Sequence, residues 1–175
     1  MAIKWYKLID VEFDLDKVLV WARKLQLSSS GQAMTTDSSL NGDLGNDQHY
    51  WTGEFPQKEF DYINSIIPLD GKFKGIKTSC SLWEYKTHTN LTPHIHTNET
   101  EIEGLLVVPL IGKFKTSIFK DDVEIDSVEY SPNTIFFLKG KEFVHGGEAI
   151  DGYRLCVILY IKQGTDLDSY IQGTD

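Results

Sequence analysis

The second half of the chain is a succession of short apolar or alternating segments, each bounded by turn-forming residues. Ile76–Tyr85 mixes apolar residues with Thr and Ser. Residues 104–110 form a continuous apolar run, Lys113–Phe119 and Val123–Val128 approximate strict alternation, and Thr134–Leu138 and Leu155–Ile161 are apolar throughout. Between them lie Ile111-Gly112, Lys120-Asp121-Asp122, Ser131-Pro132-Asn133, Gly146-Gly147 and Asp151-Gly152. Segments of this length with these boundaries are strands, and continuous apolar runs are strands buried on both faces. About six to eight such strands fold as a sandwich or jelly roll. The expected class is therefore mainly β with some helix.

The first part of the chain is different. Trp5–Val11 reads as a strand. Val18, Leu19, Ala22 and Leu25 form an apolar stripe at helical period, which predicts a helix over Asp14–Leu27, with Asp14 as N-cap and Asp16 in the first turn. A second helix is expected from Pro56, burying Phe60, Ile63 and Ile67 and ending at Pro68-Leu69-Asp70-Gly71. Between the helices, Ser28–Gln48 is rich in Ser, Thr, Asn, Asp and Gly and reads as a long loop, a candidate lid over a site. The expected organisation is one domain over 1–162: a helical part (1–72) and a β core (73–162), followed by a polar tail (163–175) in which Gln-Gly-Thr-Asp occurs twice.

Composition narrows the function classes. The chain has 175 residues and a formal charge of -9, the wrong sign for a general nucleic-acid binder or an anchor to anionic lipid. No apolar run approaches the roughly 18 residues of a membrane span. Met1–Lys7 lacks a signal-peptide layout, so a soluble cytoplasmic protein is expected. Cys80 and Cys156 both fall in expected strands, where cysteine acts as a small buried hydrophobe. No P-loop, dinucleotide fingerprint or Gly-x-Ser-x-Gly elbow occurs.

Chemistry concentrates in the histidines. There are five: His49, His88, His94, His96 and His145. His94-Ile95-His96 places two imidazoles on one face of an extended segment, able to address one metal ion. In a jelly roll, segments distant in sequence return as neighbours, so His145 is a candidate third ligand. By itself, His-x-His also fits a polar surface loop. His88 reads as a surface histidine, and His49, beside Tyr50-Trp51, as a packing residue. After His145, Arg154 opens the apolar segment Leu155–Ile161. A guanidinium at that position needs an anionic partner: an internal carboxylate such as Glu103 or Asp151, or the carboxylate of a small acid ligand.

These residues resemble a known family. Leu82-Trp83-Glu84-Tyr85 leading to Pro93-His94-Ile95-His96, then Asn133–Leu138, His145 and Gly152-Tyr153-Arg154, is similar to the double-stranded β-helix oxygenases that use Fe(II) and 2-oxoglutarate. The resemblance spans about residues 76 to 161. It implies a double-stranded β-helix with N-terminal helices packed on one sheet. It implies a hydroxylase-type dioxygenase in which His94, His96 and His145 hold iron or another divalent metal. Arg154 would bind the distal carboxylate of 2-oxoglutarate, with Tyr85 hydrogen-bonding the same group. The substrate would be a small molecule or a protein side chain. The family's motif is His-x-Asp; here His96 stands in the carboxylate's place, which removes one negative charge beside the metal.

A second resemblance competes. His94-Ile95-His96 followed by Glu101 looks like the cupin motif, in which Glu101 would be a metal ligand and His145 the last one. The cupin Pro-x-Gly-x-x-His is absent, and that family has no use for Arg154. A non-catalytic jelly-roll module that binds a ligand or partner chain is a third reading. Nothing in the sequence specifies an oligomeric state.

Overall fold

Along the last strand, successive side chains enter two different cores. Leu155, Val157, Leu159 and Ile161 pack with the helices, while Cys156, Ile158 and Tyr160 pack in the opposite direction. The same division runs through Leu106 and Val108 against Leu105 and Val107, and through Ile135 and Phe137 against Phe136 and Leu138. Apolar side chains on both faces are the physical reason these segments read as continuous apolar runs.

The coordinates are those of a computed structural model, and the structure describes residues 4–33, 48–67, 75–86, 91–96, 100–147 and 152–172. In chain order the elements are β1 (Tyr6–Asp10), α1 (Leu15–Ser28), β2 (Gln32–Ala33), β3 (Gln48–Glu54), α2 (Gln57–Ile66), β4 (Ile76–Tyr85) and β5 (Leu91–His94). There follow β6 (Ile102–Ile111), β7 (Phe114–Lys120), β8 (Val123–Tyr130), β9 (Thr134–Leu138), β10 (Val144–Gly147), β11 (Arg154–Lys162) and α3 (Leu167–Gln172).

Two sheets result. The larger has strand order β1-β9-β6-β11-β4-β3-β2, and the smaller β5-β10-β7-β8. From β4 onward the chain crosses between the sheets at every step except the β7–β8 hairpin, with β4, β6, β9 and β11 in the larger and β5, β7, β8 and β10 in the smaller. This is the double-stranded β-helix. One core lies between the larger sheet and the helices, and the other is the aromatic interior between the sheets, with Trp5, Tyr85, Phe114, Tyr130 and Phe136.

Local chemistry explains the helices and turns. Asp14 caps α1 by accepting the Lys17 N–H at 3.1 Å, and Val18 and Ala22 are fully buried on its inner stripe. Phe60, Ile63 and Ile67 are buried around α2, as the sequence predicts. The β7–β8 hairpin turns on Asp121 and Asp122, both at positive φ, the conformation that a two-residue hairpin turn demands. Among the described residues, no helix is long and apolar enough to cross a membrane.

Two expectations need correction. The polar tail expected over 163–175 contains α3, which buries Leu167, Tyr170 and Ile171 against the helix-side core. Three apolar residues at helical spacing suffice to dock one turn and a half, despite the polar residues between them. The loop expected over Ser28–Gln48 does not hold at its ends: Ser28 ends α1, Gln32 and Ala33 form β2, and Gln48 starts β3. Residues 34–47, to which the lid expectation is thereby confined, lie outside the described residues, as do His88, Asp151 and the Pro68–Gly71 turn.

Candidate metal centre and acid pocket

The smaller sheet brings the histidines together. On the antiparallel pair β5–β10, His94 and His145 are direct register partners, so their side chains leave the same face. His96 lies two residues beyond, past the end of β5, where its N–H donates to the Gly140 carbonyl at 3.0 Å. The ring centroids of His94 and His145 are 4.5 Å apart, and His96 lies 4.9 Å from His94 and 5.1 Å from His145. One nitrogen from each ring can be chosen such that all lie within 4.8 Å of one another. This is a spacing from which three imidazoles can converge on one cation.

The surroundings prepare the rings for that role. The Nδ1–H of His145 donates to the Phe143 carbonyl at 3.0 Å, which leaves Nε2 as the lone-pair donor and fixes the ring plane. Burial holds the His145 pKa down at about 3, with a further lowering from His94 and His96 and a partial offset from the Phe143 hydrogen bond. The ring is therefore neutral at physiological pH, the form that binds a metal. Gly140 makes the room: a Cβ there would lie 2.9 Å from Cδ2 of His96 and 3.4 Å from Cε1 of His145. Three imidazole nitrogens suit iron, zinc, copper or nickel.

Arg154 opens β11 and is 4% exposed. Its guanidinium carbon lies 5.0 Å from the Tyr85 ring centroid and 5.7 Å from that of Phe114, so the side chain points into the aromatic interior. Burial lowers its pKa, with Tyr85, Cys156 and Tyr130 acting in the other direction; a guanidinium stays charged regardless. Tyr85 is the register partner of Arg154, and burial raises its phenol pKa well above the usual value, so it is a protonated donor. Gly112, at positive φ, allows this approach: a Cβ there would lie 2.5 Å from the Tyr153 carbonyl oxygen and 3.0 Å from Cγ of Arg154. Strand β7 links the two sites, since Phe114 packs at Arg154 and Ile118 pairs with His145. Four residues of strand put these positions about 13 Å apart.

The other candidates lie elsewhere. The Glu101 carboxylate is 85% exposed and pairs with Lys77 at 3.0 Å, outside the histidine group. Glu103 accepts the Gly164 N–H at 3.1 Å. His49 sits on β3, its ring 6.3 Å from that of Trp51 in the helix-side core. Cys80 and Cys156 are buried free thiols. Sequence reasoning missed Gly140, the Phe143 carbonyl and the inward side chains Gln48 and Trp83. The two backbone-based contributions carry no sequence signal, and Gln48 sits at the end of a polar stretch that reads as loop.

No protein-family model and no curated protein matches the sequence. Solved structures do match in fold. A prolyl hydroxylase from Trichoplax adhaerens, in complex with a hypoxia inducible factor peptide fragment, superposes with a TM-score of 0.64 at 11% identity, covering 98% of this chain and 88% of its own. The non-heme alpha ketoglutarate dependent epimerase SnoN from nogalamycin biosynthesis gives 0.62 at 14% identity, covering 99% and 87%. An oxidoreductase of the 2OG-Fe(II) oxygenase family from Burkholderia pseudomallei gives 0.61 at 12% identity, covering 90% and 84%. The chain thus has the double-stranded β-helix fold of these proteins over nearly its whole length.

Proposed function

We propose that this protein is a non-haem Fe(II), 2-oxoglutarate-dependent oxygenase of the hydroxylase type. The observation that carries the reading is the pairing, within one β-helix, of a three-imidazole cluster with a buried arginine among aromatic side chains. The neighbours named above, a prolyl hydroxylase, an alpha ketoglutarate dependent epimerase and a 2OG-Fe(II) oxygenase, support it.

His94, His96 and His145 would hold the metal, and Arg154 the distal carboxylate of 2-oxoglutarate. Iron bound here would, with this cosubstrate and dioxygen, supply the oxidising power to hydroxylate a C–H bond, one oxygen atom going to the substrate and the other to the succinate formed as the 2-oxo acid loses CO2. The protein's own part is orientation. Arg154 fixes one end of the acid by a planar paired contact, and Tyr85 offers a phenol O–H to the same group. The aromatic walls exclude water and strengthen both contacts. With His96 in place of a carboxylate, the three candidate ligands are imidazoles and would leave the full positive charge of a bound divalent metal uncompensated toward an incoming dianion. That matters in a chain whose formal charge is -9, because the general surface repels such a ligand. The substrate is a small molecule or a protein side chain. A cupin-type centre is disfavoured by the engagement of Glu101 with Lys77.

Anaerobic titration of the iron-loaded protein with 2-oxoglutarate tests the reading. The expected result is a weak visible charge-transfer band that is lost in Arg154→Leu. Absence of the band in protein confirmed to contain iron overturns it.

A further inference from the structure

Gln48 is fully buried, and neither atom of its carboxamide has a hydrogen-bond partner among the described residues. Such a group is costly to keep in an apolar interior, and proteins that keep one commonly use it. Its direction is set by the sheet. Gln48 on β3 pairs with Tyr85 on β4, and Tyr85 pairs with Arg154 on β11. Residues in one register row share a face, and Tyr85 belongs to the aromatic interior, so Gln48 points into the same interior from the far side of Tyr85. At sheet spacing, Gln48 and Arg154 flank Tyr85 at about 5 Å on either side.

The neighbouring positions strengthen the pattern. Two residues along β4, the buried indole N–H of Trp83 also has no partner among the described residues. Its ring is stacked between Tyr50, at 5.1 Å, and Tyr85, at 6.2 Å. Elsewhere on this interior, hydroxyl groups satisfy one another: Thr116 with Tyr130 at 3.0 Å, and Ser81 with Tyr160 at 2.7 Å. Unused donors thus gather around Tyr85, beside the arginine.

We infer that Gln48 is a specificity-determining contact for the acid held by Arg154. This rests on the cosubstrate reading above. The Gln48 Nε2–H donates to the distal carboxylate from the side opposite the guanidinium. Its Oε1 is left for a water that accompanies the ligand. An uncharged donor here adds affinity only for acids long enough to carry a second carboxylate to this depth. The chain thereby distinguishes 2-oxoglutarate from short 2-oxo acids such as pyruvate.

The test is Gln48→Leu, which keeps the side chain's bulk and removes the amide. Two measurements are made: thermal unfolding of the metal-free protein, and calorimetric binding of 2-oxoglutarate and of pyruvate to the anaerobic Mn(II)-loaded protein. The expected results are a melting temperature raised by about 2–4 °C, since an unsatisfied buried amide is gone, a dissociation constant for 2-oxoglutarate raised about tenfold, and pyruvate binding unchanged. A lowered melting temperature, or a misfolded variant, overturns the inference, because the amide would then be part of the structure's own bonding. Equal 2-oxoglutarate binding by the variant, with Arg154→Leu still defective, overturns the inference and leaves the oxygenase reading standing. Failure of the metal-loaded wild type to bind 2-oxoglutarate removes both.

Discussion

His94 and His145 face each other directly across the β5–β10 pair, with ring centroids 4.5 Å apart. The two strands are short, and β10 is held on its other side by β7, with His145 opposite Ile118. The geometry of the candidate centre is therefore a property of sheet pairing, and only His96 depends on loop backbone.

Removing a ring from this cluster should abolish tight metal binding. His145→Ala leaves two imidazoles and deletes the ring oriented by Phe143, so the affinity for Zn(II) or Mn(II) should fall at least 100-fold by calorimetry. Glu101→Ala should leave that affinity unchanged, because Glu101 pairs with Lys77 at the surface. Loss of binding in Glu101→Ala would instead argue for a cupin-type centre.

Gly140→Ala tests the backbone support of His96. The added methyl would meet Cδ2 of His96 at 2.9 Å, closer than two carbons can approach, so the ring must shift. Metal affinity should drop about 10- to 100-fold, in the range seen when groups supporting metal ligands are altered. Circular dichroism should show the fold retained.

Arg154→Lys keeps the positive charge and loses the planar fork. Lysine cannot make the paired contact to a carboxylate or present a planar guanidinium to the Tyr85 and Phe114 rings. We expect the dissociation constant for 2-oxoglutarate to rise at least tenfold, with metal affinity unchanged.

The thiols should be inert in the folded protein. Burial pushes the Cys80 thiol up to about 12, with Glu54 adding to the shift, and burial likewise holds Cys156 up at about 12. Both stay protonated at pH 8, so a thiol reagent should react with neither at that pH until denaturant is added. Rapid labelling of the native protein at pH 8 would contradict the burial described.

The C-terminal helix should contribute to stability. Ile171 is fully buried in the helix-side core, and Asp168 on the same helix pairs with the buried Lys139, the residue before Gly140. Ile171→Ala should cost about 2–4 kcal/mol in denaturant unfolding. A change within experimental error would mean that the helix is not docked in solution.

How much of this was legible in the sequence differs by element. The strands β4, β6, β9 and β11 were visible because they line two cores, and burial on both faces leaves apolar runs; β7 and β8, which contribute to the aromatic interior alone, were visible by alternation. Strand β3 was hidden by the polar stretch before it. Strands β5 and β10 were hidden because they are four residues each and carry the polar site residues in place of core ones. Helix α3 was hidden because its three buried residues are diluted by polar ones.

The sequence by itself pointed to the β-helix class and the burial of the cysteines, and singled out the three histidines and the arginine as candidate site residues. Tertiary structure alone decided what surrounds them. It placed Glu101 at the surface, Gly140 beneath the imidazoles and Gln48 beside Tyr85. Local sequence pattern reports which face of a strand is buried. It does not report register between strands distant in the chain, and register is what sets His94 against His145 and Gln48 in line with Arg154.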